Sequence, residues 1–246
     1  MQFIWDWFRW LYQTTGINLT IFYDPFDRHR FADGFLTTVK LSLICIVLSV
    51  LIGVVGAWLQ GSRLNLTRRV VYWYIQFFRN APPLVQLYFF YFGVGSLLRS
   101  SLASGNQPLV SNVTWAIISL SFFAGAFNVE IFRSGVEAVP KTTLEAAESL
   151  GFSRLRAYAL IVLPLAFRIS LPALNNNLVN LVKTTTLAYA IAVPELVYMS
   201  AQIWSEQVNV PEMMVVLLIC YVAMVGLINQ GMQWLENRLR VPGFGQ

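Results

Sequence analysis

Long apolar stretches, each close to the length of a bilayer-crossing helix, constrain this chain more than any other feature. They cover residues 36–59, 82–98, 113–132, 160–182 and 213–234. A helix needs about 17–25 residues to cross roughly 30 Å of hydrocarbon. The runs lack strict alternation of apolar and polar residues, so an all-α integral membrane protein is expected and a lipid-facing barrel is not. Composition agrees: 57% of residues are apolar and 12% are charged, against about 25% charged in a water-exposed globule.

The net charge of +5 does not point to nucleic acid. The basic residues lie in short loops between apolar runs, the pattern that orients membrane proteins. Cys45 and Cys220 fall inside apolar runs and read as small buried hydrophobes, not as a disulfide framework. Asp6 and Arg9 interrupt the first ten residues, so no cleaved signal is expected there. Trp5, Trp7, Phe8, Trp10, Leu11 and Tyr12 suit a segment lying at a membrane interface. Residues 13–33 are turn-rich, with Gly16, Asn18, Asp24, Pro25, Asp27 and Asp33, and read as a connection. The chain therefore divides into an extracytoplasmic or interfacial segment, 1–33, and a membrane domain, 34–240.

About five spans are expected. Residues 186–203 are apolar but interrupted by Pro194 and Glu195, and read as a short helix and loop that does not cross. Five crossings place Arg63, Arg68, Arg69, Arg133, Lys141, Arg154, Arg156, Arg168, Arg238 and Arg240 on one side. By the positive-inside rule that side is cytoplasmic, which puts the N-terminus outside and the C-terminus inside. Pro164 and Pro172 predict a kinked or broken fourth span. Gly53 and Gly56 allow close helix contact within the first span.

The stretch 135–158 is polar with helical periodicity. Residues 144–150 are mostly good helix formers. Gly151 stands where a helix end needs a left-handed residue, and Ser153 is placed to cap a second helix from Arg154. Ala146 and Ala147 form a small face for a close partner. A helical hairpin of this kind is a suitable rigid lever for docking.

Glu145-Ala146-Ala147, then Gly151, Ile161 and Leu163-Pro164 resemble the EAA signature of permeases in bacterial ABC importers. Further motifs are similar to those of the polar amino acid branch, with histidine-, glutamine- and glutamate-type permeases. They are Phe78-Arg79-Asn80-Ala81-Pro82-Pro83-Leu84-Val85-Gln86, Glu130-Ile131-Phe132-Arg133-Ser134-Gly135-Val136, Val139-Pro140, Leu181-Val182-Lys183-Thr184-Thr185-Thr186-Leu187 and Val193-Pro194-Glu195-Leu196. The similarity runs from about residue 35 to 240. Two departures stand out: Thr184 where the family has Asp, and Thr142-Thr143 where it has Gly-Gln. The resemblance implies a MetI-like permease fold working as a dimer with a second copy or a paralogue. It implies a separate ATPase subunit docked on Glu145, Ala146, Ala147, Gly151, Ser153 and Arg154, and an extracytoplasmic solute-binding protein that delivers an amino acid. ATP and Mg then bind the partner ATPase; no cofactor and no metal is expected on this chain. An EAA-type permease for a different small solute, or a secondary transporter, are the competing readings.

Polar residues inside spans are candidates for the substrate path, because burial in hydrocarbon is costly. Glu130 and Arg133 share a helix face, which fits either an ion pair or a gate. Lys183 fits either snorkelling or the path, with Thr184 beside it. Asn175, Asn176, Asn177 and Asn180 fit interhelical hydrogen bonds or amino acid contacts, and Asn176 and Asn180 are candidates for the substrate path. Glu195 and Glu206 are expected to face outside, with Glu195 also a path candidate. GxxxxGK[ST] is absent from the sequence, and His29 is its only histidine. No phosphate-cradling loop or His-based catalytic pair can be assembled, so the chain reads as a non-catalytic subunit.

Overall fold

The computed structural model describes residues 2–102 and 110–239. Helices are the only regular elements among the described residues. The chain forms two compact units. The first holds Met1–Ile44, Leu84–Ser119 and Val182–Gly226; the second holds Cys45–Pro83, Leu120–Leu181 and Leu227–Gln246.

The first helix, α1, covers Gln2–Thr15. It is followed by one turn at Thr20–Tyr23 and then by α2, Pro25–Gln60. The sequence reading placed a connection up to residue 33, and α2 corrects it. Asp24 accepts the Phe26 N–H at 3.0 Å, and Pro25 takes the first helical position, where its missing N–H is harmless. The turn-forming residues beyond are overridden by tertiary partners. Gln207 donates to Asp27 at 3.0 Å, and a Cβ on Gly34 would lie 2.9 Å from that of Met199. At 36 residues and 1.5 Å per residue, α2 is about 54 Å long, well beyond the hydrocarbon thickness.

Next, α3 spans Asn65–Asn80, and α4 begins at Pro83–Tyr88, widens at Phe89–Val94 into a π-helical stretch and ends in Gly95–Leu102. The two meet at a 112° bend. The prolines explain it. Ala81 precedes Pro82 and is extended, φ −94° and ψ 142°, because proline disfavours the helical region in the residue before it. The same constraint from Pro83 moves the helix start from Pro82, as expected from sequence, to Pro83.

Helix α5, Asn112–Glu137, is followed by α6, Lys141–Ser149, and by α7, Arg154–Ile191. Within α7, a π-helical turn at Tyr158–Val162 precedes Pro164, and the last turns, Thr185–Ile191, tighten to 3₁₀. Proline lacks the donor that an α-helix would use there and crowds the carbonyl four residues back, which accounts for the widened turn. Pro172 sits inside the α-helical part. Helix α8, Leu196–Gln207, has 12 residues, about 18 Å, too short to cross; α9, Val210–Leu239, ends the described chain. Among the described residues, four helices are long and apolar enough to cross a membrane, and the bent α3–α4 pair makes up to five. Residues 186–191 complete α7 instead of belonging to a separate short helix, which corrects the sequence reading, while α8 adds no further span.

In the second unit, the small residues of α2 act as anticipated: a Cβ on Gly53 or Gly56 would collide with Asn128 or Val129 of α5. Phe132, Leu174 and Leu178 form an apolar cluster there with Ile46, Val50 and Met232. In the first unit, Ile21, Ile203 and Met213 pack with Phe31, Trp204 and Val216.

Candidate functional site: an exposed hairpin and a polar helix face

The α6–α7 hairpin is built by its turn. Gly151 is left-handed, φ +86°. Its N–H reaches the Glu148 carbonyl at 3.0 Å, and the Phe152 N–H reaches the Ala147 carbonyl at 3.1 Å. This paired closure satisfies carbonyls left open at the end of α6. Ser153 occupies the N-cap position of α7, but its side chain makes no capping bond, which corrects its expected role. The alanines also part company: Ala147 is buried and Ala146 is exposed, so they do not form one outward face. What the hairpin presents is Glu145, Ala146, Glu148, Gly151 and Arg154, all exposed, around Leu150 at 79% and Leu155 at 82% exposure. Sequence reasoning passed over these two leucines. Their signal was two large apolar residues flanking a turn glycine in an otherwise polar segment. On its inner side the hairpin rests on Val139, Val162 and Ala166, packed with Leu144 and Leu165.

The four asparagines of α7 divide by helical phase. Asn177 is buried and donates to Asn128 Oδ1 at 2.8 Å and to the Ala124 carbonyl at 3.0 Å. Asn128 donates in turn to Ser49 Oγ at 3.2 Å. Asn175 is buried and donates to Asn229 Oδ1 at 2.8 Å. These two are interhelical bonds. Asn176, Asn180 and Lys183 are exposed and Thr184 is partly so, and steps of three or four residues set them on one side of the helix. Asn128 and Ser49 were not singled out in the sequence, since nothing local marks them.

Glu130 lies in an ion-pair cluster. Arg133 donates to it at 2.8 Å and also to Glu137 at 2.7 Å. Arg79, stacked over Phe127 with its guanidinium 5.2 Å from the ring centre, stands 4.0 Å away. Two of the sequence motifs therefore meet here.

Glu195 does not present its side chain at the surface: the residue is 0% exposed. Its carboxylate accepts the Val197 and Tyr198 N–H groups at 2.9 and 2.8 Å and the Tyr221 hydroxyl at 3.2 Å. Burial pushes the carboxyl above its ordinary range, although these donors pull it back. Glu206 is exposed and takes a bidentate bond from Arg30 at 2.6 and 3.0 Å.

Residues 49–241 match the family described as "Binding-protein-dependent transport system inner membrane component". The chain belongs to this family. As an inner membrane component it resembles the probable glutamine ABC transporter permease protein GlnM of Bacillus subtilis (strain 168), with 28% identity over 91% of this chain and 98% of that one. The histidine/lysine/arginine/ornithine transport system permease protein HisM of Escherichia coli (strain K12) is 31% identical over 72% and 74%. Among solved structures, the crystal structure of an amino acid ABC transporter with histidines superposes with a TM-score of 0.76 at 26% identity, covering 86% of this chain and 94% of that one. The inward-facing MetNI methionine ABC transporter shares the fold, with a TM-score of 0.68 at 18% identity over 89% and 99%. The family match starts at residue 49 and leaves the N-terminal region outside it.

Proposed function

We propose that this inner membrane component is the permease of an ATP-driven importer for amino acids, delivered by an extracytoplasmic binding protein. The observation that carries the reading is the exposed hairpin: a glycine-closed turn bearing the family's signature, with two large apolar side chains uncovered at its tip. Large uncovered leucines on a rigid turn suit a cleft in another protein. The ATPase subunit would dock there through Glu145, Ala146, Leu150, Gly151, Ser153, Arg154 and Leu155. Ala147, being buried, supports the docking surface from within. ATP and Mg would bind that partner, and this chain would hydrolyse nothing.

The relatives named for glutamine and for histidine, lysine, arginine and ornithine support an amino acid as cargo. The exposed amides Asn176 and Asn180, with Lys183 and Thr184 beyond them, suit the charged ends of an amino acid at an interface with a second permease. Glu130, half-buried between two arginines, suits a gate whose charge is already balanced. The positive-inside pattern supports the N-terminus outside and the hairpin in the cytoplasm.

The test is uptake of labelled amino acids into proteoliposomes holding the permease, its ATPase and its binding protein. Uptake should require ATP and the binding protein, and unlabelled basic or amide amino acids should compete. Uptake driven by an ion gradient without the ATPase would overturn the reading in favour of a secondary transporter.

A further inference from the structure

Helix α8 starts just after a turn that ends α7. Ala192 is left-handed, φ +56°, and Glu195 is extended at the helix N-cap, φ −88° and ψ −179°. A helix start leaves N–H groups without partners. Here three of them are satisfied in two different ways. Val197 and Tyr198 donate to the Glu195 carboxylate. Leu196 donates 2.9 Å to Thr38 Oγ1, which belongs to α2. The third side of the carboxylate receives the Tyr221 hydroxyl from α9, and the Thr38 hydroxyl donates to the Gly34 carbonyl at 3.0 Å. Gly34 permits the close approach, since a Cβ there would stand 2.9 Å from the Met199 Cβ and 3.2 Å from the Glu195 carbonyl oxygen. Leu196, Thr38 and Glu195 are fully buried.

A carboxylate buried with no cation is costly unless donors surround it. Among the described residues no lysine or arginine is paired with Glu195; its partners are two N–H groups of α8 and one hydroxyl of α9. A cap that served α8 alone would need neither the burial nor the α9 partner, because Ser, Thr or Asp at a surface does that work. Every group in this arrangement lies in the first unit.

We propose that Glu195 is a positioning residue that ties α8 to α2 and α9, so that the three move as one body through the transport cycle. It acts through these helices and does not touch the cargo. The proposal rests on the import reading above for its transport readout, but its structural readout is independent of it. Removing one acceptor oxygen strands a buried donor, and removing Thr38 Oγ1 strands the Leu196 N–H.

The test uses the complete transporter in proteoliposomes with Glu195→Gln, Glu195→Asp and Thr38→Val. Glu195→Gln should lower maximal uptake about tenfold, the factor that one lost charge-assisted hydrogen bond supplies, while the half-saturating cargo concentration stays unchanged. Thr38→Val should act in the same direction, and Glu195→Asp should restore part of the rate. Spin labels at the exposed positions Lys40, Ser205 and Val222, with Cys45 and Cys220 replaced by alanine, report the tie directly. The 40–205 and 205–222 distance distributions should be the same in nucleotide-free and ATP-trapped wild type, and should broaden in Glu195→Gln even without nucleotide. A raised half-saturating concentration with unchanged maximal rate would make Glu195 a cargo contact and overturn the proposal. Distances that shift between states in wild type, or that are unaltered in nucleotide-free Glu195→Gln, would overturn it too. Wild-type uptake that needs no ATP would sink the import reading alone, and the nucleotide-free distances would still decide the tie.

Discussion

Replacing Gly151 by alanine isolates the backbone contribution to the hairpin. The residue is left-handed, and a Cβ added there meets nothing within 4 Å. The change therefore creates no clash, and its whole effect is the strain of a side chain in that conformation, roughly 1–2 kcal/mol. Against a turn held by the Gly151 and Phe152 N–H groups, that strain should raise the open population by a factor of about 5–30. Gly151→Asn should raise it less, because asparagine tolerates the left-handed region. Hydrogen exchange at the Phe152 amide, in nanodiscs without partners, measures opening directly. Exchange should quicken in the order Gly, Asn, Ala, and cargo-stimulated ATP hydrolysis should fall in the same order. Equal exchange for Gly and Ala, or asparagine worse than alanine, would refute the claim that the turn needs a left-handed residue.

Three further outcomes follow from the geometry. Leu150→Asp with Leu155→Asp should leave thermal stability of the permease unchanged, since both side chains are uncovered; it should weaken ATPase binding by at least tenfold, measured by titrating the ATPase onto nanodiscs, because each leucine buried in a partner contributes about 1.5–3 kcal/mol. Asn177→Leu should lower the melting temperature by removing bonds to Asn128 and Ala124, worth about 0.6–2 kcal/mol in a membrane interior, whereas Asn176→Leu should spare stability and alter uptake. The Arg30 guanidinium holds the Glu206 carboxyl below its ordinary value of 4.5. A carboxyl depressed on folding stabilises the chain above its unfolded pKa, and that contribution disappears as pH falls through the folded value. Melting followed from pH 6 down to about pH 3 should therefore show an acid loss that is smaller in Glu206→Gln.

Much of this architecture was readable from local features. The crossing helices follow from apolar length, the α3–α4 break from Pro82 and Pro83, the non-crossing α8 from the Pro194 interruption, and the hairpin turn from Gly151. Each of these is decided by neighbours in sequence. What was not readable depends on residues far away in the chain. Asp27, Asp33 and Gly34 look like turn formers until Gln207 and Met199 are seen against α2. Glu195 looks exposed until Thr38 and Tyr221 are placed around the start of α8. The asparagines of α7 could not be sorted without knowing which side of that helix faces Asn128 and Asn229. Ser153 has the right residue type for a cap, yet its side chain makes no capping bond. Leu150 and Leu155 were hidden because a leucine in a membrane protein is assumed to be covered.

Transmission through the hairpin is tested most directly by comparing ATP-driven amino acid uptake by wild type and Gly151→Asp at equal membrane insertion, with ATPase and binding protein present. Aspartate tolerates the left-handed region much as asparagine does, so the effect comes from a negative charge set into the surface that the exposed hairpin offers to the ATPase. Wild type should import only with ATP, and the variant should lose uptake while its spans stay folded. Normal uptake by the variant would contradict transmission through the hairpin.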